Sequence, residues 1–362
     1  MTENFNFENA VNNALREALK ERGHVNILIA GRTGVGKSTL INAIFQGNFT
    51  ITGQGRPVTQ NTREIKKEGV PLSIFDTRGL EMADFSKTKD ELRSFVSERR
   101  KETDPQKHIH VAWICISEDL RRVEPAEEEL VKMLDEYMPV IVVITKSRSD
   151  QGFRSKVQEI LPLAKNVIRV RAIEEELDDG YILKNMNLPE LVDLTIQVIP
   201  EGLRRAFVAA QKVDIELKKS QSRRIVALAA TSAAGIGATP IPFSDAVGIV
   251  PIQIGMIAGI SATFGLSFNE SFLYSIVGSI VTGAGGTIAG RAIVSGLLKF
   301  IPGIGSAAGG TIAATTAAAL TTGFGTTYIT VLEKLFIRNN GEPATQEEVV
   351  TAFKKQYLLP PR

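Results

Sequence analysis

The stretch GRTGVGKS, residues 31–38, decides how the amino-terminal half of the chain folds. Gly31, four intervening residues, then Gly36, Lys37 and Ser38 match the spacing of a phosphate-binding loop. It lies between VNILIAG (25–31), an apolar run of buried-strand length, and TLINAIF (39–45), which reads as an apolar helix. The chemistry follows from the residue types. Glycines let the backbone wrap a phosphate, and a helix amino terminus offers unpaired N–H groups. Lys37 brings positive charge to the terminal phosphates, and Ser38 is a magnesium ligand. Gly31, Thr33, Gly34, Val35, Gly36, Lys37, Ser38 and Thr39 are therefore the candidate phosphate contacts.

Working outward, further apolar runs at 72–76 (LSIFD), 109–117, 139–145 and 166–170 alternate with helical patterns such as PAEEELVKMLDEY and FRSKVQEILPLA. Strands and helices in alternation predict an α/β domain, a mostly parallel sheet with helices on both faces. Ahead of the first strand, Phe7, Ala10, Val11, Ala14, Leu15, Ala18 and Leu19 recur at amphipathic-helix spacing. DTRG (76–79) closes the second strand. There Asp76 is placed to hold magnesium through water, and the Gly79 N–H to sense a terminal phosphate.

The chain has 362 residues, 43% of them hydrophobic, enough for two or more domains with real cores. A formal charge of +2 gives no support for nucleic-acid binding. The single cysteine, Cys115, rules out an internal disulfide scaffold and suits a reducing compartment. It sits in VAWICIS and reads as core rather than as a nucleophile. The first residues lack the order of a secretory signal, which predicts a cytoplasmic location. From Ile225 to Leu332, 108 residues, only Asp245, Glu270, Arg291 and Lys299 are charged. The expected divisions are an amino-terminal helix (1–24), the α/β domain (25–200), a connector helix (201–224), an all-α hydrophobic domain (225–338) and a tail (339–362).

Residues 25 to about 200 resemble the guanine-nucleotide domain of the Era-like (TRAFAC-class) GTPases, with RPVTQNT (56–62) in the place of the first switch. The resemblance implies GTP and GDP as ligands with Mg²⁺, held by Ser38, Thr59 and Asp76, with Thr62 a possible substitute for Thr59. It implies catalysis through Lys37, Thr59 and Gly79. The family reads guanine with Asn or Thr, Lys, any residue, then Asp. Here Thr145 and Lys146 are in position, but Arg148 stands where the aspartate should be. Asp150, two residues later, is the expected replacement, with ATP as the rival ligand if it does not reach the base. Arg171-Ala172 takes the place of the family's Ser-Ala base contact. Leu80 stands where small regulatory GTPases carry a water-orienting glutamine. Slow turnover, accelerated by self-association into a homodimer or higher homo-oligomer across the nucleotide face, is expected. Arg78 is a candidate charge donor to a neighbour's phosphates.

The carboxyl-terminal half resembles a small-residue-rich helical domain found fused to Era-like GTPases and, more loosely, the helical tail of the immunity-related GTPases. The uncharged runs between Asp245 and Glu270, between Glu270 and Arg291, and from Phe300 to Leu332 reach or exceed the ~20 residues of a membrane span. Basic residues flank them, Lys218 to Arg224 before and Lys334, Arg338, Lys354 and Lys355 after. That charge predicts hairpins engaging a lipid membrane from the cytoplasmic side. Pairs such as Gly255 and Gly259, Gly286 and Gly290, or Gly305 and Gly309 suit close helix approach. Two alternatives stay open: a soluble switch whose helical tail is a protein-binding module, and a pore-forming helical hairpin gated by ATP.

Overall fold

The computed structural model describes residues 7–47, 56–59, 61–77, 85–237, 244–273, 275–277 and 310–358. The chain divides into two compact units, one of residues 23–214 and one made of 1–22 with 215–362.

In the first unit a seven-stranded sheet runs in the order β2-β3-β4-β1-β5-β6-β7. Its parallel centre is β4 (Leu72–Thr77), β1 (Val25–Ala30), β5 (Val111–Ser117), β6 (Val140–Thr145) and β7 (Asn166–Arg169). These runs are mostly apolar because helices cover both faces, and β1, β4, β5 and β6 are buried at every position. Trp113 is fully buried in β5, stacked on Phe45 at 5.7 Å between ring centres, with its indole N–H donating to the Thr195 hydroxyl at 3.2 Å. At one edge β3 (Thr62–Lys66) pairs antiparallel with β4, and β2 (Arg56–Pro57) with β3. The polar sequence TREIK carries no buried-strand signal, and its pairing with β4 is what makes it a strand. A second small sheet joins β8 (Glu175–Glu176) to β9 (Ile182–Leu183). The helices of this unit are α2 (Lys37–Ile44), α3 (Phe85–Lys101), α4 (Pro125–Asp135), α5 (Phe153–Ile160), α6 (Leu188–Val198) and α7 (Arg204–Ala210). The chain order switches from β4 to β5 on either side of β1, and such a switch point is where open α/β sheets place ligands.

The second unit is helical. The amphipathic α1 (Phe7–Arg22) packs here, burying Val11 and Ala14 in one core with α8 (Ile215–Gly237), α9 (Ser244–Thr263), α10 (Gly310–Arg338) and α11 (Gln346–Leu358). The connector expected over 201–224 is two helices, α7 and α8, separated by a turn, and α8 runs without a break past residue 224. Ile254, Met256, Ile257, Phe324, Tyr328 and Phe353 are buried against one another. The Tyr328 and Ser261 hydroxyls bond at 2.7 Å inside the core.

Small residues here serve helix contact. A Cβ on Gly325 would lie 2.5 Å from a Val226 methyl carbon, so α10 and α8 approach more closely than any side chain at that point allows. Gly259 faces Ile225 at 3.4 Å, whereas Gly255 faces open space. Gly286, Gly290, Gly305 and Gly309 lie outside the described residues.

The flanking charges also differ from expectation. Lys218 is fully buried; its ammonium donates to the Thr263 carbonyl at 3.1 Å, where the carboxyl end of α9 favours a cation. Lys219 bridges Glu216 and Glu333 at 2.7 and 2.6 Å, and Arg338 pairs with Glu348. These cations hold the bundle together. Among the described residues no helix is long and apolar enough to cross a membrane. Much of the run from Glu270 to Arg291, and Phe300 to Gly309, lie outside the described residues.

Candidate active site

β1 ends at Ala30 and the chain turns sharply into the phosphate loop. Gly31 has φ 151°, and a Cβ there would sit 2.5 Å from the Cys115 carbonyl oxygen of β5, so only glycine fits. Gly36, with φ 101°, is the left-handed residue before α2 and frees the helix's first N–H groups. The Lys37 ammonium lies folded across the loop, donating to the carbonyls of Gly31 at 2.6 Å and Arg32 at 3.1 Å. Thr33, Gly34 and Val35 form the body of the loop, and Ser38 and Thr39 occupy the first turn of α2. The Cys115 thiol is pushed up to about 12, chiefly by complete burial, which makes it an inert core group.

Asp76 lies opposite Ile29 in the β1–β4 register and Thr77 opposite Ala30. The carboxylate is thereby delivered, 8% exposed, to the same end of the sheet as the loop. Ser38 and Asp76 are the hard oxygen donors that suit Mg²⁺. Thr59 is elsewhere engaged: its hydroxyl accepts the N–H groups of Asn61 at 3.2 Å and Thr62 at 3.0 Å, closing the turn between β2 and β3. The Thr62 hydroxyl is within 3.3 Å of that of Thr77 inside the sheet, so it is a strand-pairing group rather than a substitute metal ligand. Arg78, Gly79 and Leu80 lie outside the described residues.

The loop after β6 forms the other side of the site. The Thr145 hydroxyl donates to the Val35 carbonyl at 2.5 Å and the Ile116 carbonyl at 3.2 Å, tying this loop to the phosphate loop. Lys146 is left-handed (φ 54°), with its ammonium 4.0 Å from Asp119. Arg171 donates from Nε to the Ser147 carbonyl at 2.8 Å, bracing the loop from the segment that continues into Ala172. A cavity of about 260 Å³ is bounded by Gly36, Thr39, Thr145, Lys146, Arg148 and the residues from Arg171 to Glu175. Phosphate loop and base-side loops therefore share one cavity.

Asp150 does not line it. Its carboxylate accepts the Arg154 N–H at 2.9 Å, capping α5, and lies 3.6 Å from Arg169. The start of α5 engages the carboxylate expected to return to the base. Two acidic residues not singled out from sequence do the organising. Glu118, buried at the end of β5, accepts the N–H groups of Arg148 at 2.6 Å and Ser149 at 2.9 Å, and Arg169 Nε at 2.6 Å. Burial raises its pKa, but the Arg169 bond and the two backbone N–H groups outweigh that and leave it below the ordinary carboxylate value. Glu175 pairs with the Arg148 guanidinium. Acidic residues beside a helix or on a short polar strand carry no sequence signal of this kind.

The histidines also have structural roles. His110 is buried; its Nδ1 accepts the Asn26 N–H at 2.9 Å and its Nε2 lies 2.9 Å from the Pro105 carbonyl. No group of three or more potential metal ligands occurs among the described histidine, cysteine and acidic residues.

This geometry agrees with what the chain is similar to. Residues 26–146 match the model of the 50S ribosome-binding GTPase family, and residues 206–357 match that of a domain of unknown function, DUF697. Over residues 26–146 the chain is similar to this GTPase family. The GTPase domain is 29% identical over 185 residues to GTPase Era of Thermoanaerobacter sp. (strain X514), covering 49% of this chain and 55% of that protein. It is 27% identical over 191 residues to the tRNA modification GTPase MnmE of Aquifex aeolicus (strain VF5), covering 50% and 39%. With GTPase Der of the same organism it shares 26% over 189 residues, covering 52% and 42%. The chain spans about half the length of the Era relative it matches and less of the other two.

Proposed function

We propose that the chain is a GTP-binding and GTP-hydrolysing switch, with Mg²⁺ as its cofactor and the helical domain as its output. The observation that carries this reading is the phosphate loop itself, with Gly36 opening α2 and the Lys37 ammonium held across the loop by two carbonyls. An ammonium in that place exchanges carbonyl oxygens for β- and γ-phosphate oxygens when a nucleotide enters. Ser38 would hold Mg²⁺ directly and Asp76 through water, and the ion would supply neutralisation of phosphate charge. Thr59 would reach the ion only after leaving its turn. That exchange would couple the triphosphate state to a rearrangement of residues 57–62. Gly79 supplies a backbone N–H to the terminal phosphate.

Leu80 cannot orient the attacking water, so turnover in the isolated chain is slow, and a second copy across the nucleotide face raises it. For the helical domain we favour a module that binds another protein on the cytoplasmic side. Its described helices bury their apolar faces on one another, and Lys218 and Lys219 are used within the bundle. The lipid-binding reading predicts co-flotation with anionic vesicles in the GTP state, and protein that stays at the bottom of the gradient dismisses it.

Calorimetric titration of GTP with and without Mg²⁺, on wild type and Lys37→Ala, tests the core of the proposal. Magnesium-dependent binding by wild type, reduced at least tenfold in Lys37→Ala, is expected. Equal heats from the two proteins would remove Lys37 and the loop from the mechanism. Phosphate release per protein molecule should rise with protein concentration; a constant value rejects assistance from a second copy.

A further inference from the structure

The GTPase domain lacks an aspartate at the place where its family reads guanine, and Asp150 is committed to capping α5. The guanine edge presents two adjacent donors, N1–H and the N2 amino group, and a carboxylate is the side chain that accepts both. Arg148 has donors only and cannot take that role. Arg148 is exposed, but its side chain has a partner. Its guanidinium grips Glu175 in a two-pronged contact, Nε to Oε2 at 2.9 Å and Nη2 to Oε1. Glu175 lines the same cavity as Gly36, Thr145 and Lys146.

Its backbone position is fixed by the β8–β9 pairing, opposite Leu183. Two other carboxylates line the cavity: Asp119 is oriented toward Lys146 at 4.0 Å and the Ser117 hydroxyl at 3.4 Å, and Glu174 has, among the described residues, no guanidinium fork like the one that holds Glu175. A planar fork fixes the orientation of a carboxylate while leaving each oxygen a further lone pair.

Resting on the GTP-binding reading above, we propose that Glu175, held in place by Arg148, is the acceptor that reads the N1–H and N2 amino donors of guanine. The specificity carboxylate comes from the strand after the last base loop, and the residue at the family's position has become its positioning arginine. Adenine presents an acceptor at N1, which faces a carboxylate unfavourably, so the same group excludes it.

The test is titration of wild type, Glu175→Gln, the double variant Arg148→Asp/Glu175→Arg, and Lys37→Ala with GDP, ADP and xanthosine diphosphate in magnesium buffer. An amide at 175 accepts from N1–H but meets the N2 amino group with its own donor. Xanthine, with a carbonyl at C2, suits it. Glu175→Gln should lose at least tenfold in GDP affinity and gain in affinity for xanthosine diphosphate. The double variant, which returns a carboxylate to residue 148, should regain GDP preference over ADP to within about tenfold of wild type. An unchanged ratio of GDP to xanthosine diphosphate affinity in Glu175→Gln overturns the assignment, as does a double variant no better than the single one. Wild type that binds no nucleotide, or Lys37→Ala that binds all three as well as wild type, overturns the nucleotide site beneath it instead.

Discussion

Replacing Glu118 by Gln isolates the group that shapes the base-side loop. The carboxylate is 3% exposed and accepts three bonds, from Arg148 N at 2.6 Å, Ser149 N at 2.9 Å and Arg169 Nε at 2.6 Å. An amide oxygen can keep the two backbone N–H groups, but the amide nitrogen then faces the Arg169 donor. One charge-assisted bond to a charged partner is worth about 1.5–3 kcal/mol. Arg169 retains Asp150 at 3.6 Å as a weaker partner, which limits the penalty. We therefore expect a loss of about 2–3 kcal/mol at neutral pH.

Trp113 is the sole tryptophan and sits in the core of this unit, so its fluorescence in a urea titration reports unfolding of the GTPase domain. The pH dependence carries a sign. Because the folded-state pKa of Glu118 lies below its ordinary value of 4.5, the stabilisation is present above that value and is lost as pH falls through the folded pKa. The gap between wild type and variant should shrink in acid. A gap below about 1 kcal/mol at pH 7, or one that does not shrink in acid, would refute this account of the loop.

Three further outcomes follow from particular contacts. Gly31→Ala puts a methyl group 2.5 Å from the Cys115 carbonyl at φ 151°, and should cost about 2–3 kcal/mol in the same urea assay; a neutral result denies the close approach. Gly325→Ala forces Val226 and Met256 aside and should destabilise the helical unit by about 1–3 kcal/mol, read as an earlier thermal transition by circular dichroism, and an unchanged melt contradicts the tight crossing of α8 and α10. Glu127, buried at the start of α4, has its carboxyl pKa pushed up chiefly by burial from 4.5 to about 7. The folded state holds that proton more tightly, so this contribution is present below about 4.5 and disappears as pH rises through about 7. Glu127→Gln should flatten that part of the stability profile, and a decline as steep as in wild type excludes Glu127 as its source.

Much of this was legible along the chain because it depends on local pattern. Five largely apolar runs became the five parallel strands, since residues buried on both faces need no partner to reveal them. The phosphate loop was equally plain: its glycines are required by φ values and close approaches at fixed spacing, and Lys37 and Ser38 follow them in sequence. The edge strand TREIK was hidden, because only its neighbour makes it a strand.

Tertiary structure alone decided the base side and the helical half. Which carboxylate caps a helix, which braces a loop and which lines a cavity depends on contacts between residues far apart in sequence. Asp150 went to α5, Glu118 to the loop and Glu175 to Arg148 for that reason. In the helical unit, an uncharged, small-residue composition fits either lipid or protein contact. What each apolar face meets is set by tertiary contacts: the buried faces of the described helices meet those of their neighbours, with α1 brought in from the other end of the chain, while Leu228 and Ile337 stay exposed.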